Sequence, residues 1–310
     1  MIDAAFAGSR TRSLIAQLRR ALGEADPLPL PPPIPEILLP PNRVFPFPRH
    51  SSAFAELASK HTTALVGIGH VGTRYATDVV LQFQAELAVA HGAVATELPD
   101  DWAASQNYLP LRSRVTTHRE FLLRPDLGRR LNAESVARMQ ETCKKGVDVQ
   151  PILADGLSAV ACMGAGPALM ASFIEACEKR GWCVGTPVCA KFARVWLEDE
   201  IGEIANARVS AILLGERPGL GTGDGLSAYI VYGPRVGNTD SNRNMLSNIH
   251  ERGTPPIEAG RRLAMLVGAM LDQKTSGVPL DLSPLVAELG ADAGGGYRAP
   301  QKRTRLVEVP

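Results

Sequence analysis

The residues best placed to do chemistry lie in Leu213-Leu214-Gly215-Glu216-Arg217-Pro218-Gly219-Leu220-Gly221-Thr222-Gly223-Asp224-Gly225, directly after an apolar run that begins at Val209. Glycines let a backbone approach a ligand closely and Pro218 stiffens the turn. The same loop also reads as an ordinary strand-to-helix connection, and the residues alone leave both readings open. Asp155-Gly156-Leu157-Ser158 offers a carboxylate and a hydroxyl at another strand end, although capping of the following helix is the simpler role. Gly67-Ile68-Gly69-His70-Val71-Gly72 has the G-x-G-x-x-G form of a dinucleotide fingerprint. That fingerprint needs a second strand with an acid about 20 residues further on to hold the ribose. Here the following region is helical instead, with Val80, Phe83, Leu87 and Ala90 at helical spacing. His70 and Arg74 offer an anion contact, but a turn into a helix accounts for these glycines more simply.

Other charged groups have structural explanations. Glu198, Asp199 and Glu200 open a short acidic helix, where the dipole favours them without catalysis. Arg124, Asp126, Arg129 and Arg130 crowd into Leu123–Leu131 as a solvated turn, an ion-pair network or a contact to a partner subunit. No G-x-S-x-G, H-E-x-x-H or G-x-x-x-x-G-K-[ST] occurs. The five cysteines form no C-x-x-C pair and the six histidines are scattered, so neither a disulfide framework nor a metal site is expected. An α/β chain without an acid–base or nucleophile pair reads as a binding subunit whose catalytic groups lie elsewhere.

The elements that must position these residues follow from the pattern. From Val147 onward strands and helices alternate. Strands are expected at Val147–Ala154, Trp182–Cys189, Val209–Leu214 and Leu226–Tyr232. Helices are expected at Ala159–Arg180, Glu198–Ala205 and Pro256–Gln273. Repeated βα units predict an α/β fold with a doubly wound, mostly parallel sheet, and ligands bind at the carboxyl ends of such strands. Asp101–Gly146 reads as mostly helical, so a mainly helical region (49–146) precedes the α/β domain (147–280). Ser52–Lys60 is expected to be helical and Thr62–Val66 a strand.

Before this, Ser9–Leu22 forms a basic amphipathic helix with Leu14, Leu18 and Leu22 on one face. Ten prolines between Pro27 and Pro48 make an extended linker, so residues 1–48 read as a helix on a tether. Such a helix orders against a partner or is a dispensable tail. Residues 281–310 form a C-terminal tail that is Gly-rich and then basic after Gly290. Lys and Arg (33) nearly balance Asp and Glu (32), which gives nucleic-acid binding no support. No apolar run approaches the ~20 residues that span a bilayer, so no membrane partner is expected. The N-terminus does not resemble a secretory signal, and the unpaired thiols suit a cytosolic protein.

Several of these motifs, in order and spacing, resemble the small (light) subunit of ethanolamine ammonia-lyase. They are Arg124-Pro-Asp-Leu-Gly-Arg-Arg-Leu131, Asp155-Gly-Leu-Ser158, Asp199-Glu-Ile-Gly-Glu203, Leu213-Leu-Gly-Glu-Arg-Pro-Gly-Leu-Gly221, Ser247-Asn-Ile-His250 and Gly253-Thr-Pro-Pro256. The resemblance runs from about residue 60 to Gly277 and leaves both tails uncovered. It implies an adenosylcobalamin-dependent enzyme that converts ethanolamine to acetaldehyde and ammonia by radical chemistry. The large subunit, a TIM barrel, would hold the substrate, and the small subunit would help clasp the corrinoid between subunits. Three cobalamin-contacting positions of the family fall on Val195, Glu216 and Met245. At the last the family has a cysteine; Met245 suits an apolar or backbone contact, but would crowd the corrin edge if a small side chain is needed. The family has a Gly-x-x-Gly-x-Arg turn in place of a nicotinamide site, with prolines where this chain has Thr73 and Tyr75. The resemblance also gives the arginine-rich turn a role as an assembly surface. It offers the N-terminal helix a docking role in a protein-shelled bacterial microcompartment, the alternative location being the cytoplasm. Two rival readings are a nicotinamide-dependent oxidoreductase using Gly67, Gly69 and Gly72, and a non-catalytic assembly subunit that has lost the cobalamin contact at Met245.

Overall fold

A computed structural model describes residues 70–285 apart from 76, 221–222 and 252. The amphipathic helix, the proline-rich linker, the elements expected at 52–66, and Gly67 and Gly69 all lie outside the described residues, as does the tail beyond 285. The chain divides into two units, Met1–Arg74 and Tyr75–Pro310. In the first, Gly72 turns at a φ of +65°.

The second unit is built on a six-stranded sheet. Taken in chain order after two short strands β1 (His70–Val71) and β2 (Arg74–Tyr75), its strands are β3 (Leu109–Arg112), β4 (Val149–Ala154), β5 (Val188–Lys191), β6 (Val209–Gly215), β7 (Leu226–Tyr232) and β8 (Arg243–Ile249). The spatial order is β3-β5-β4-β6-β7-β8. The pairings β3–β5, β5–β4 and β4–β6 are parallel, whereas β6–β7 and β7–β8 are antiparallel. The sheet is therefore mixed and mostly parallel, flanked by helices on both faces.

The helices are α1 (Thr77–Ala95), α2 (Trp102–Ser105), α3 (His118–Leu123), α4 (Ala133–Thr142), α5 (Ala159–Gly164), α6 (Gly166–Glu178), α7 (Leu197–Ile204) and α8 (Pro256–Gln273). Strand periodicity decides which face each residue serves. Val149, Leu153, Val209, Ala211, Leu213, Leu226, Ala228 and Ile230 point to one face and pack with α5, α6 and α8. Ile152, Ala154, Val188, Ala190 and Ile212 point to the other and pack with α4 and α7. β4 is buried along its whole length, which is why its sequence is apolar without alternation apart from Gln150, whose amide donates to the Thr186 carbonyl at 2.8 Å. From β4 the chain goes to β5 on one side and then crosses to β6 on the other, so the topological switch lies at β4.

Three expectations change. The helix expected over Ala159–Arg180 is two, broken at Ala165, because Gly166 lets the second close onto the sheet; a Cβ there would meet Leu153 at 2.8 Å. The strand expected from Trp182 begins only at Val188; before it, Asp148 accepts the Cys183 N–H at 2.9 Å and Gly185 donates to the Val149 carbonyl. The segment Asp101–Gly146 supplies α2, α3 and α4 but also the edge strand β3, whose Pro110 an edge tolerates.

Candidate functional site

The loops after β4 and β6 are one structural unit. Leu157 donates its N–H to the Gly215 carbonyl at 3.0 Å. A Cβ on Gly156 (φ +53°) would sit 2.2 Å from that carbonyl, and one on Gly215 would sit 2.2 Å from the Ser158 carbonyl. Both glycines are therefore fixed by backbone contact. Ser158 caps α5 by accepting the Ala161 N–H at 3.1 Å, and its hydroxyl donates to the Gly223 carbonyl at 3.0 Å. The capping role read from the sequence holds for Ser158, which also pins the glycine-rich loop.

Asp155 does something the sequence did not suggest. It is buried, and its carboxylate accepts the N–H groups of Phe192 (2.6 Å) and Ala193 (3.0 Å) just beyond β5. Burial pushes this carboxyl up to about 7, against the pull of those donors. The contact holds the turn in which Phe192 adopts a φ of +56°, a conformation rare for a bulky residue. From that turn the chain delivers Arg194 and Val195. The Arg194 N–H donates to the Gly128 carbonyl at 2.8 Å, and the Val195 carbonyl accepts from Glu198 at 3.1 Å.

Val195, Glu216 and Met245 belong to the same face of the sheet. Val195 packs beside the Ile212 layer. Glu216 follows Leu214 in alternation, and the Ser227 hydroxyl donates to its Oε1. Its Oε2 has no protein partner among the described residues. Ser227 and Tyr229 share that face of β7, and Met245 stands directly opposite Tyr229 on β8. Burial, and after it the charge of Glu216, hold the Tyr229 hydroxyl above its ordinary value. α7 covers this face near β4 and β6, while over β8 Met245 remains 53% exposed. The patch thus offers one carboxylate acceptor, a tyrosine and two apolar side chains.

A buried ionic cluster supports it. Arg243, at the start of β8, bonds Glu198 and, at 2.9 Å, Asp199, both in the first turn of α7. Asn238 adds a donor to Asp199 at 3.2 Å, while Glu198 Oε2 is buried with no partner. Trp196, next to Val195, donates its indole N–H to Asp240 at 2.6 Å and lies under the guanidinium of Arg129 at 4.3 Å. Glu200 takes Arg130 through both oxygens and also the Leu131 N–H at 2.6 Å. The acids of α7 are therefore anchored by specific partners, beyond the dipole effect. In the arginine-rich turn, Arg129 and Arg130 are engaged internally, leaving Arg124 and Asp126 as an exposed pair at 2.7 Å.

Nothing in this arrangement pairs a nucleophile with a base, and among the described residues no group of three His, Cys, Asp or Glu side chains could hold a metal. Nor is any described helix long and apolar enough to cross a membrane. The fold is an α/β chain with a mixed sheet, and the loops after β4, β5 and β6 meet at the carboxyl edge of its parallel strands. Residues 52–281 match the family model of the ethanolamine ammonia-lyase light chain (EutC). The chain belongs to that family. It is thus a light chain of a lyase that works with a larger partner subunit, in a family tied to adenosylcobalamin-dependent chemistry.

Proposed function

We propose that the chain is the small subunit of an adenosylcobalamin-dependent ethanolamine ammonia-lyase and helps clasp the corrinoid against the large, TIM-barrel subunit. The observation that supports this reading is that Val195, Glu216 and Met245 lie on one incompletely covered face of the sheet. A corrin rim carries neutral amides, and a carboxylate is a strong acceptor for their N–H groups. Glu216 suits this role because Ser227 fixes one oxygen while the other lacks a protein partner. Val195 and Met245 offer apolar contact, and the exposure of Met245 leaves room for a flexible thioether to adapt. When bound, the cofactor supplies radical chemistry; the groups acting on ethanolamine belong to the large subunit. The product pair is acetaldehyde and ammonia, and the site of action is the cytoplasm or a bacterial microcompartment.

Co-expression with the large subunit and assay of acetaldehyde tests the activity. The site is tested by cobalamin titration of the assembled complex, followed by the visible spectrum. A hydrogen bond to a charged group is worth about 1.5–3 kcal/mol, so Glu216→Ala should weaken cobalamin about ten- to a hundredfold without preventing assembly. Unchanged affinity in that variant would remove Glu216 from the site.

A further inference from the structure

Asp155 differs from the other buried acids of this chain. Glu198, Asp199 and Glu200 each face an arginine. Asp155 is 3% exposed and has no ion-pair partner among the described residues. Its carboxylate serves backbone amides instead, Oδ2 accepting the Phe192 N–H at 2.6 Å and Oδ1 the Ala193 N–H at 3.0 Å. Its own N–H donates to the Ala190 carbonyl at 3.3 Å, so the ends of β4 and β5 are tied in both directions. Burying a carboxylate without a counter-ion is costly. An uncharged amide of the same shape would avoid that cost but accept only one of the two N–H groups. The second acceptor is therefore what the charge supplies.

The two amides belong to a turn that needs holding. Phe192 is in the left-handed region at a φ of +56°, where a bulky side chain is strained. Its ring is buried against Phe121, with centroids 5.6 Å apart, and its carbonyl accepts the Ser113 hydroxyl at 2.7 Å. Val195 follows three residues later. Asp155 is enclosed and has no surface to offer a ligand, so its effect on one is indirect.

We propose that Asp155 is a positioning residue for the corrinoid site: its ionised carboxylate, by accepting both amides, holds the strained turn that presents Val195. The inference rests on the corrinoid reading of Val195. Protonation turns one oxygen into a donor that faces an N–H, and the turn loses half of its support. Burial pushes the carboxyl up to about 7, so the turn is firm above that pH and slack below it. The charged and titratable groups around it are Lys191 and Arg194 on either side of the turn, Cys162 on α5, Glu97 after α1 and His118 on α3. Lys191 is already paired with Asp100 at 2.7 Å. Glu97 and His118 share with Asp155 a gap of about 10 Å³, the size of one water.

Asp155→Asn keeps the shape and fixes the slack form at every pH. The test follows the assembled two-subunit complex on either side of about pH 7. Cobalamin affinity is read from the visible spectrum, and amide exchange of the 190–196 peptide by mass spectrometry. Parent and variant are compared at each pH, so the intrinsic pH dependence of exchange cancels. The parent should gain about tenfold in affinity as the pH rises through the transition, the 190–196 amides becoming better protected in step. Asp155→Asn should be weak and flat in both, with assembly unchanged by size-exclusion chromatography. His118→Gln should leave both profiles in place, which separates the carboxyl from the nearby imidazole. A variant Asp155→Asn that keeps the parent's pH profile, or a change in exchange without one in affinity, overturns the positioning role. Should Asp155→Asn fail to assemble, the parent decides, since its affinity and exchange must turn at the same pH. A complex that binds no cobalamin at any pH overturns the corrinoid reading itself, and the exchange profiles alone then decide whether Asp155 holds the turn.

Discussion

At the scale of single residues, the site depends on two glycines more than on any charged group. Gly215 carries Glu216 into place, and its missing side chain is what lets the β6 loop lie against the β4 loop. A Cβ at Gly215 would meet the Ser158 and Asp155 carbonyls at 2.2 and 2.4 Å. Backbone oxygens cannot swing aside as a side chain would. Gly215→Ala should therefore cost about 1–3 kcal/mol by overpacking, or more. It should also displace Asp155, and through it the turn that presents Val195. The expected result is a lower urea midpoint together with weaker corrinoid binding. Gly164→Ala is the control: it has open space around it at the end of α5, and there alanine should be neutral or slightly stabilising. If both variants unfold at the wild-type midpoint, the close packing of the two loops is not what holds them.

At the scale of elements, Arg243 joins β8 to α7, and with it Met245 to Val195. Two buried carboxylates face one guanidinium. Asp199 is the better supplied, with Arg243 and Asn238 as donors, although burial still holds its carboxyl above the ordinary value. Glu198 has an oxygen with no partner, and burial, opposed by Arg243, pushes its carboxyl up to about 8. Its folded value exceeds the ordinary value of 4.5, so its contribution to stability is full below that pH and is lost as the pH rises through about 8. Glu198→Gln mimics the protonated acid. It should match the parent at low pH and exceed it above the folded pKa by about 1–3 kcal/mol, the cost of an unsatisfied buried group. Denaturation curves collected across that window check the sign; a fall with pH as steep in the glutamine variant would assign the effect to another group. None of this cluster was legible in the sequence, because Arg243 and its acids meet only through the fold. β8 itself was missed for a related reason: as an edge strand its residues are mostly polar or half-exposed, so it lacks an apolar run. By contrast, β7 and α8 were legible to the residue, being long, periodic and bounded by glycine or proline. The position of Glu216 was legible too, since a buried strand that stops at a glycine announces its own end. The Ser227 and Tyr229 neighbours were visible only as alternation in β7, without a sign of what they would face.

At the scale of the whole molecule, α1 points to how this light chain meets its partner. Its buried side is made by Val79, Gln82, Ala90 and Ala93. Much of the remaining surface is also apolar, with Leu81 59% and Val89 64% exposed and Val80 and Leu87 open to solvent as well. Gln84 and His91 interrupt this exposed surface, but exposed apolar area of this extent marks an interaction surface. The light-chain family implies a larger subunit as partner, and we propose that α1 is part of the surface it covers. Replacing Leu81 and Val89 together by glutamate should leave the stability of the light chain within about 0.5 kcal/mol per site, because neither side chain is buried. The same pair should weaken assembly by tenfold or more, since each now brings an unpaired charge into an apolar contact. Size-exclusion chromatography of the co-expressed subunits reads the assembly, and thermal denaturation of the light chain alone reads the fold. Should the variant assemble as well as its parent, α1 faces solvent in the complex and the partner docks elsewhere. If assembly fails while the fold holds, the helix that argued against a dinucleotide fold is part of the surface that meets the second subunit.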